Sequence, residues 1–170
     1  MHPNLKKKVM NMSIDKKGAV EGIFDINEVC DTLVAHCEMK GYTMDEKDRG
    51  QNSDPPNREL LTYYDGYRYI SDYYKLWIQY KIQMSGRDVE VVVDGKKKIM
   101  TQGKAELVVS TYLQEDPYGK RDASKLAKFF INLYEWVHGE TTFSQNILIA
   151  AGDAGELVKV FKQACGAKVY

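Results

Sequence analysis

Polar and apolar positions alternate weakly at the start of the chain. Met10, Met12 and Ile14 fall on one side of an extended segment that begins at Val9. Asp15-Lys16-Lys17-Gly18 then reads as a turn, with Ala19 to Phe24 running back as a second strand. At Asp25 the period lengthens. Asp25 with Glu28 three residues later is a capping-box pattern. Ile26, Val29, Cys30, Leu33 and Cys37 recur at helical spacing, and Gly41 follows Lys40 where a C′ glycine belongs. This predicts a helix over 26–40. Residues 43–58 are polar, carry Pro55-Pro56 and show no apolar period, so they are expected as a loop.

From Leu60 the period is two and aromatic residues crowd in. Tyr63-Tyr64-Asp65-Gly66-Tyr67-Arg68 reads as a hairpin turning at Asp65-Gly66. Tyr73 to Met84 is the clearest strand. Tyr74, Leu76, Ile78, Tyr80, Ile82 and Met84 make one face, and Tyr73, Lys75, Trp77, Gln79, Lys81 and Gln83 the other. An antiparallel sheet with one buried face produces this alternation. Ser85-Gly86 is expected to turn the chain and Asp94-Gly95 to turn it again. Lys104 to Leu113 is a further strand whose buried face is Ala105, Leu107, Val109, Thr111 and Leu113.

Helical spacing returns after Asp116-Pro117-Tyr118-Gly119. Asp122 or Ser124 is placed to cap a helix with the stripe Leu126, Phe129, Phe130, Leu133 and Val137, stopped by Gly139. Phe143 to Ala151 reads as a short helical piece. Asp153 with Glu156 repeats the capping-box pattern before a last stripe of Leu157, Val160, Phe161 and Ala164. The expected architecture is therefore α+β. It is a single two-layer domain over 1–170, an antiparallel β-meander covered by one N-terminal helix and two or three C-terminal helices.

Composition narrows the class. With 44% apolar and 28% charged residues the chain suits a globular domain large enough to build a core without disulfides. Its net charge is zero, but unevenly spread: residues 1–24 form a basic segment and 25–60 an acidic one. That balance excludes a strongly basic nucleic-acid protein while allowing a local basic patch. No apolar run approaches the length of a membrane helix, and no apolar stretch follows the charged start, so neither membrane span nor secretory leader is expected. Cys30, Cys37 and Cys165 are odd in number and form no Cys-x-x-Cys, which reads as reduced thiols in a cytoplasmic protein. In that compartment Asn11-Met12-Ser13 is a chance match to a glycosylation acceptor.

Catalytic signatures are missing: no phosphate-cradling Gly-rich loop, no His-Glu-x-x-His and no Gly-x-Ser-x-Gly. The only histidines are His2, His36 and His138. The cysteines sit at core-like stripe positions or near a helix end, where a thiol usually behaves as a small hydrophobe, so no metal or cofactor is expected. The candidate binding residues are Tyr73, Lys75, Trp77 and Lys81 on the outer face of the main strand. Lys96, Lys97 and Lys98 are able to extend the patch, as is Lys6-Lys7-Lys8. Aromatics and cations on a sheet face suit a protein interface or the stacking of bases with phosphate contact. The stretch Tyr73-Tyr74-Lys75-Leu76-Trp77-Ile78, then Asp94-Gly95-Lys96-Lys97-Lys98, Gly103-Lys104 and Tyr112-Leu113-Gln114-Glu115-Asp116, resembles conserved hypothetical archaeal proteins. The likeness covers about a third of the chain and implies no function and no site residues.

The leading expectation is a non-catalytic interaction protein that binds another protein, or itself, through the aromatic sheet face. Nucleic-acid binding through the Lys/aromatic face is the first alternative. The second is a small apolar ligand, bound or turned over, between the sheet and the helices. There Leu76, Ile78, Tyr80, Ile82 and Met84 would face Phe129, Phe130 and Leu133.

Overall fold

The computed structural model describes residues 9–52, 54–71, 74–93, 95–115 and 125–167; at 9–13, 115 and 125–143 it describes the backbone alone. The elements run β1 (Val9–Phe24), α1 (Ile26–Met39), β2 (Thr43–Asn52), β3 (Asn57–Tyr69), β4 (Tyr74–Val93), β5 (Lys96–Glu115) and α2 (Lys125–Ala164). The strands form one antiparallel sheet in the order β1-β5-β4-β3-β2. The meander β2 to β5 is local, and β1 closes onto β5 at its far edge.

Alternation sets the layers. Leu60, Thr62 and Tyr64 on β3, Leu76 through Met84 in steps of two on β4, and Ala105 through Leu113 on β5 all point inward and are buried. The helices cover this face. Ile26, Val29, Cys30, Leu33 and Cys37 of α1 and Ala150, Ala154, Leu157 and Phe161 of α2 join the same cluster. α1 starts at Asp25, whose carboxylate accepts from the Asn27 and Glu28 amides at 2.9 and 3.2 Å, and it ends before Gly41 at φ +84°. α2 runs beside β1 in the same direction. Gly18 lies under Val158 and Phe161, and Gly22 under the Cys165 carbonyl.

Several sequence expectations need correction. The C-terminal region holds one helix of 40 residues, where two or three were expected. Its glycines 139, 152 and 155 do not end it, because an interior glycine costs only about 1 kcal/mol, which packing outweighs. The expected stripe Leu126 to Val137 falls where side chains lie outside the described residues. Asp153 is no cap: it is buried in mid-helix. β1 is one continuous strand without the turn expected at Asp15–Gly18. Residues 43–52, expected as loop, are edge strand β2. Its polar residues bulge between Glu46 and Asp48, which suits an edge that must not recruit another strand. The Asp65-Gly66 and Ser85-Gly86 pairs are strand interior. Of the four glycine turns expected at Gly18, Gly66, Gly86 and Gly95 only the last stands, with Gly95 at φ +77° between β4 and β5.

The strand glycines answer to close packing. A Cβ on Gly66 would strike the Met44 side chain. Gly22, Gly103 and Gly86 lie in one row across β1, β5 and β4, and a Cβ on Gly103 or Gly86 would run into the facing backbone at Ser85 or Gln102. Past this row β4 and β5 continue alone, since β1 ends opposite Thr101 and β3 begins opposite Arg87. The two-stranded arm so formed is tied to the start of α1 by Lys98, 2.9 Å from Asp25 and 3.0 Å from Glu28.

Two glycine substitutions should act in opposite directions. Gly103→Ala should lower stability by about 2 kcal/mol or more, since its Cβ meets fixed backbone. Gly152→Ala meets nothing within 4 Å and should raise stability by about 0.5–1 kcal/mol. Urea unfolding of the two variants measures both signs.

Candidate functional site

The outer face of the sheet carries no helix among the described residues. Its centre is a cross-strand row: Tyr67 of β3 faces Trp77 of β4, which faces Tyr112 of β5. The Tyr67 and Trp77 rings lie 5.4 Å apart, tilted by 51°, and Tyr69 meets Tyr67 edge-on at 5.9 Å. Trp77 donates its indole N–H to Gln114 Oε1 at 2.8 Å, which fixes the ring. Lys75 leans back over these rings. Its ammonium is 3.7 Å from the centre of Tyr67, 4.2 Å from Trp77 and 5.1 Å from Tyr69. Further along, Lys81 lies 5.8 Å over Tyr63. A shallow open concavity of about 430 Å³ follows, bordered by Asp48, Tyr63, Asp65, Gln79, Lys81 and Ser110. Tyr69 is 46% exposed and Tyr63 38% exposed.

Lys75, Trp77 and Lys81 lie on this one face of β4; Tyr73 lies outside the described residues. It does not bring the second lysine group to them. Lys96, Lys97 and Lys98 lie on the β4–β5 arm, and Lys98 opposes Val91, about 45 Å of strand contour from Trp77 at roughly 3.3 Å per residue. Lys97 pairs with Glu90 at 3.0 Å and Lys98 with Asp25 and Glu28. Lys6-Lys7-Lys8 is outside the described residues. Sequence reasoning missed Tyr67 and Tyr69 as members of the cluster, because the supposed turn at Asp65-Gly66 broke their strand. The signal was the unbroken alternation of Tyr63, Asp65, Tyr67 and Tyr69.

The inner side holds a second polar constellation. Asp153 Oδ2 accepts from Arg68 Nη2 at 2.6 Å and from the Tyr42 hydroxyl at 2.8 Å, and Lys40 lies 3.6 Å from Oδ1. Lys40 also pairs with Glu156 at 2.5 Å, while Arg68 donates to the Lys40 carbonyl at 2.9 Å and stacks on the Tyr42 ring. Burial, then the neighbouring Asp153 charge, pushes the Tyr42 hydroxyl pKa well up. The network joins the end of α1, β3 and α2, so it serves as a cross-link. The signal for it was an acid at a stripe position, three residues after Ala150 and four before Leu157.

The thiols are buried and free. Burial pushes Cys30 up to about 11 and Cys37 and Cys165 up to about 12, so all three stay protonated at neutral pH. Burial likewise raises Tyr64 to about 12 and Tyr80 further. These groups move away from neutrality, which leaves them unfit as nucleophile or base near pH 7. Among the described residues no group of three His, Cys, Asp or Glu side chains is placed to hold a metal, and no helix is long and apolar enough to cross a membrane. No protein-family model matches the chain, and a search of curated proteins found no match.

Two outcomes are expected. Asp153→Ala leaves Arg68 without its carboxylate and should cost about 3 kcal/mol in urea unfolding. The folded protein should show no fast thiol toward a disulfide reagent at about pH 7.5, and all three thiols in denaturant. The raised thiol values also set a pH trend. Their contribution is complete below the unfolded-thiol range, near 9. It is lost as pH climbs toward about 12, so stability falls on the alkaline side.

Proposed function

We propose that this is a non-catalytic interaction protein that docks onto a partner polypeptide through the outer face of its sheet. The observation that carries the reading is the cluster of Tyr67, Tyr69 and Trp77. It is partly exposed on a face that no described element covers, whereas Tyr64 and Tyr80, on the same two central strands, are turned into the core. Trp and Tyr are favoured anchors of protein interfaces because they combine large apolar area with few rotatable bonds. The area is right as well. Five strands about 4.8 Å apart and roughly ten residues long present roughly 800 Å², the usual share of one partner in a stable complex.

Charge favours a protein over a nucleic acid. Asp15, Asp45, Asp48, Asp65 and Glu106 share the face with Lys17, Lys47, Lys75 and Lys81, and Lys47 pairs with Asp45. Phosphates would meet carboxylates there, and Lys97 and Lys98 of the arm are already paired. Three buried reduced thiols support a reducing compartment, the cytoplasm. A small-molecule reading has one observation of its own. The Tyr80 hydroxyl, Thr111 Oγ1 and Asn146 Nδ2 are buried without a hydrogen-bond partner on the helix-covered side, where a polar ligand group would satisfy them.

The test compares tagged wild type with Tyr67→Ala/Trp77→Ala and with Val92→Ser, a control on the exposed arm. Nuclease-treated pull-downs are read by mass spectrometry. Stoichiometric partners should survive nuclease, persist with Val92→Ser and fall at least tenfold with the double variant. Partners indifferent to Tyr67 and Trp77, or none at all, would overturn the docking reading. A small molecule retained in native mass spectrometry would then favour the interior.

A further inference from the structure

The three rings do not lie as a flat stack. Tyr67 and Trp77 are tilted by 51° and Tyr69 stands at 81° to Tyr67, so the rings wall a space. The Lys75 ammonium fills it, within 3.7 to 5.1 Å of all three ring centres. The negative faces of aromatic rings attract a cation at this distance. Among the described residues no carboxylate lies within ion-pair distance of Lys75, and the Gln114 amide oxygen accepts from the Trp77 N–H. The Lys75 ammonium therefore meets ring faces here and no counter-ion. A quaternary ammonium, more weakly hydrated than a primary one, gives up less to enter such a site.

We propose that Tyr67, Tyr69 and Trp77 form a binding cage for a quaternary ammonium group, with Lys75 as a displaceable internal occupant. The tether keeps Lys75 present at an effective concentration in the millimolar range, so it competes with an incoming ligand until that ligand exceeds it in affinity or is itself held by further contacts. The same chemistry has two sources, a free quaternary amine such as choline or a trimethylated lysine on a polypeptide. The second source rests on the docking reading, since a partner lying on this face would supply those further contacts.

The experiment follows Trp77 fluorescence in a Trp136→Phe background, so that one indole reports. Wild type and Lys75→Met, both in that background, are titrated with choline and with a trimethyl-lysine peptide of neutral flanks. The neutral tert-butyl isostere of each probe is run alongside, with calorimetry on Tyr67→Ala. Lys75→Met should bind a quaternary probe at least tenfold more tightly than wild type, each isostere should bind at least tenfold more weakly than its cation, and Tyr67→Ala should lose binding. Tighter choline identifies a free amine, and a tighter peptide identifies a partner-borne one. Equal binding of cation and isostere would overturn the cage, as would no saturable binding to a Lys75→Met protein that retains the wild-type circular dichroism and Tm. That failure is separable from the docking reading. Trp77-dependent assembly without probe binding leaves docking and removes the cage, whereas probe binding without Trp77-dependent assembly does the reverse.

Discussion

The carboxylate of Asp153 lies where three separated parts of the chain have to agree. Arg68 reaches it from β3, Tyr42 from the segment after α1, and Lys40 from the α1 C-cap. Burying one charge is unfavourable; burying it among matched donors is tolerable, and removing any partner exposes the penalty again. The network therefore sets the registry of α2 on the sheet more sharply than apolar contact does, because an apolar stripe tolerates sliding and a buried carboxylate does not. The lie of α2 over β1 follows from it. Gly18 sits under Val158 and Phe161, with its absent Cβ leaving the helix room to approach.

Backbone proximity imposes the second constraint. Gly103 and Gly86 let β5 and β4 pass where a Cβ would collide with facing carbonyls, and Gly22 continues the row onto β1. At that row the five-stranded sheet gives way to the two-stranded arm, and Lys98 fastens the arm to α1 through Asp25 and Glu28. Burial alone would raise the Asp25 carboxyl, but the Lys98 hydrogen bond and the Glu28 and Asn27 amides outweigh it and hold it below the usual carboxylate range. One aspartate thus caps a helix and anchors an arm.

These constraints explain which parts of the fold were legible. α1 was readable because its cap, stripe and C′ glycine are local signals. The inner faces of β4 and β5 were readable because burial on one side forces alternation. β2 was not, since it is held by backbone pairing with β3 and by polar contacts such as the Thr62 hydroxyl on Glu46, which leave no apolar period. Gly66 and Gly86 imitated turns because a sequence cannot distinguish a glycine chosen for a bend from one chosen for close approach. The division of α2 failed for a related reason. Gly152 and Asp153 are poor helix residues locally, and the reason for Asp153 is Arg68, 85 residues away. In the candidate site, Lys75, Trp77 and Lys81 followed from alternation on one strand, whereas Tyr67 and Tyr69 needed the register of the next.

The two faces of the sheet use their polar groups differently, and that difference bears on function. On the inner face, charge is tied to charge across elements, Arg68 with Asp153 and Lys40 with Glu156, while Arg49 meets Glu46 within β2 and donates to the Asn27 amide oxygen of α1. Such pairs fix the fold. On the outer face, Lys75 and Lys81 lie over rings, where the attraction is softer and a competing cation or an apolar surface is able to replace it. A face assembled only for stability has little reason to leave Tyr69 and Tyr63 part-exposed beside cations that other groups are able to displace. An arrangement with replaceable internal contacts fits a surface that exchanges them for contacts with something else.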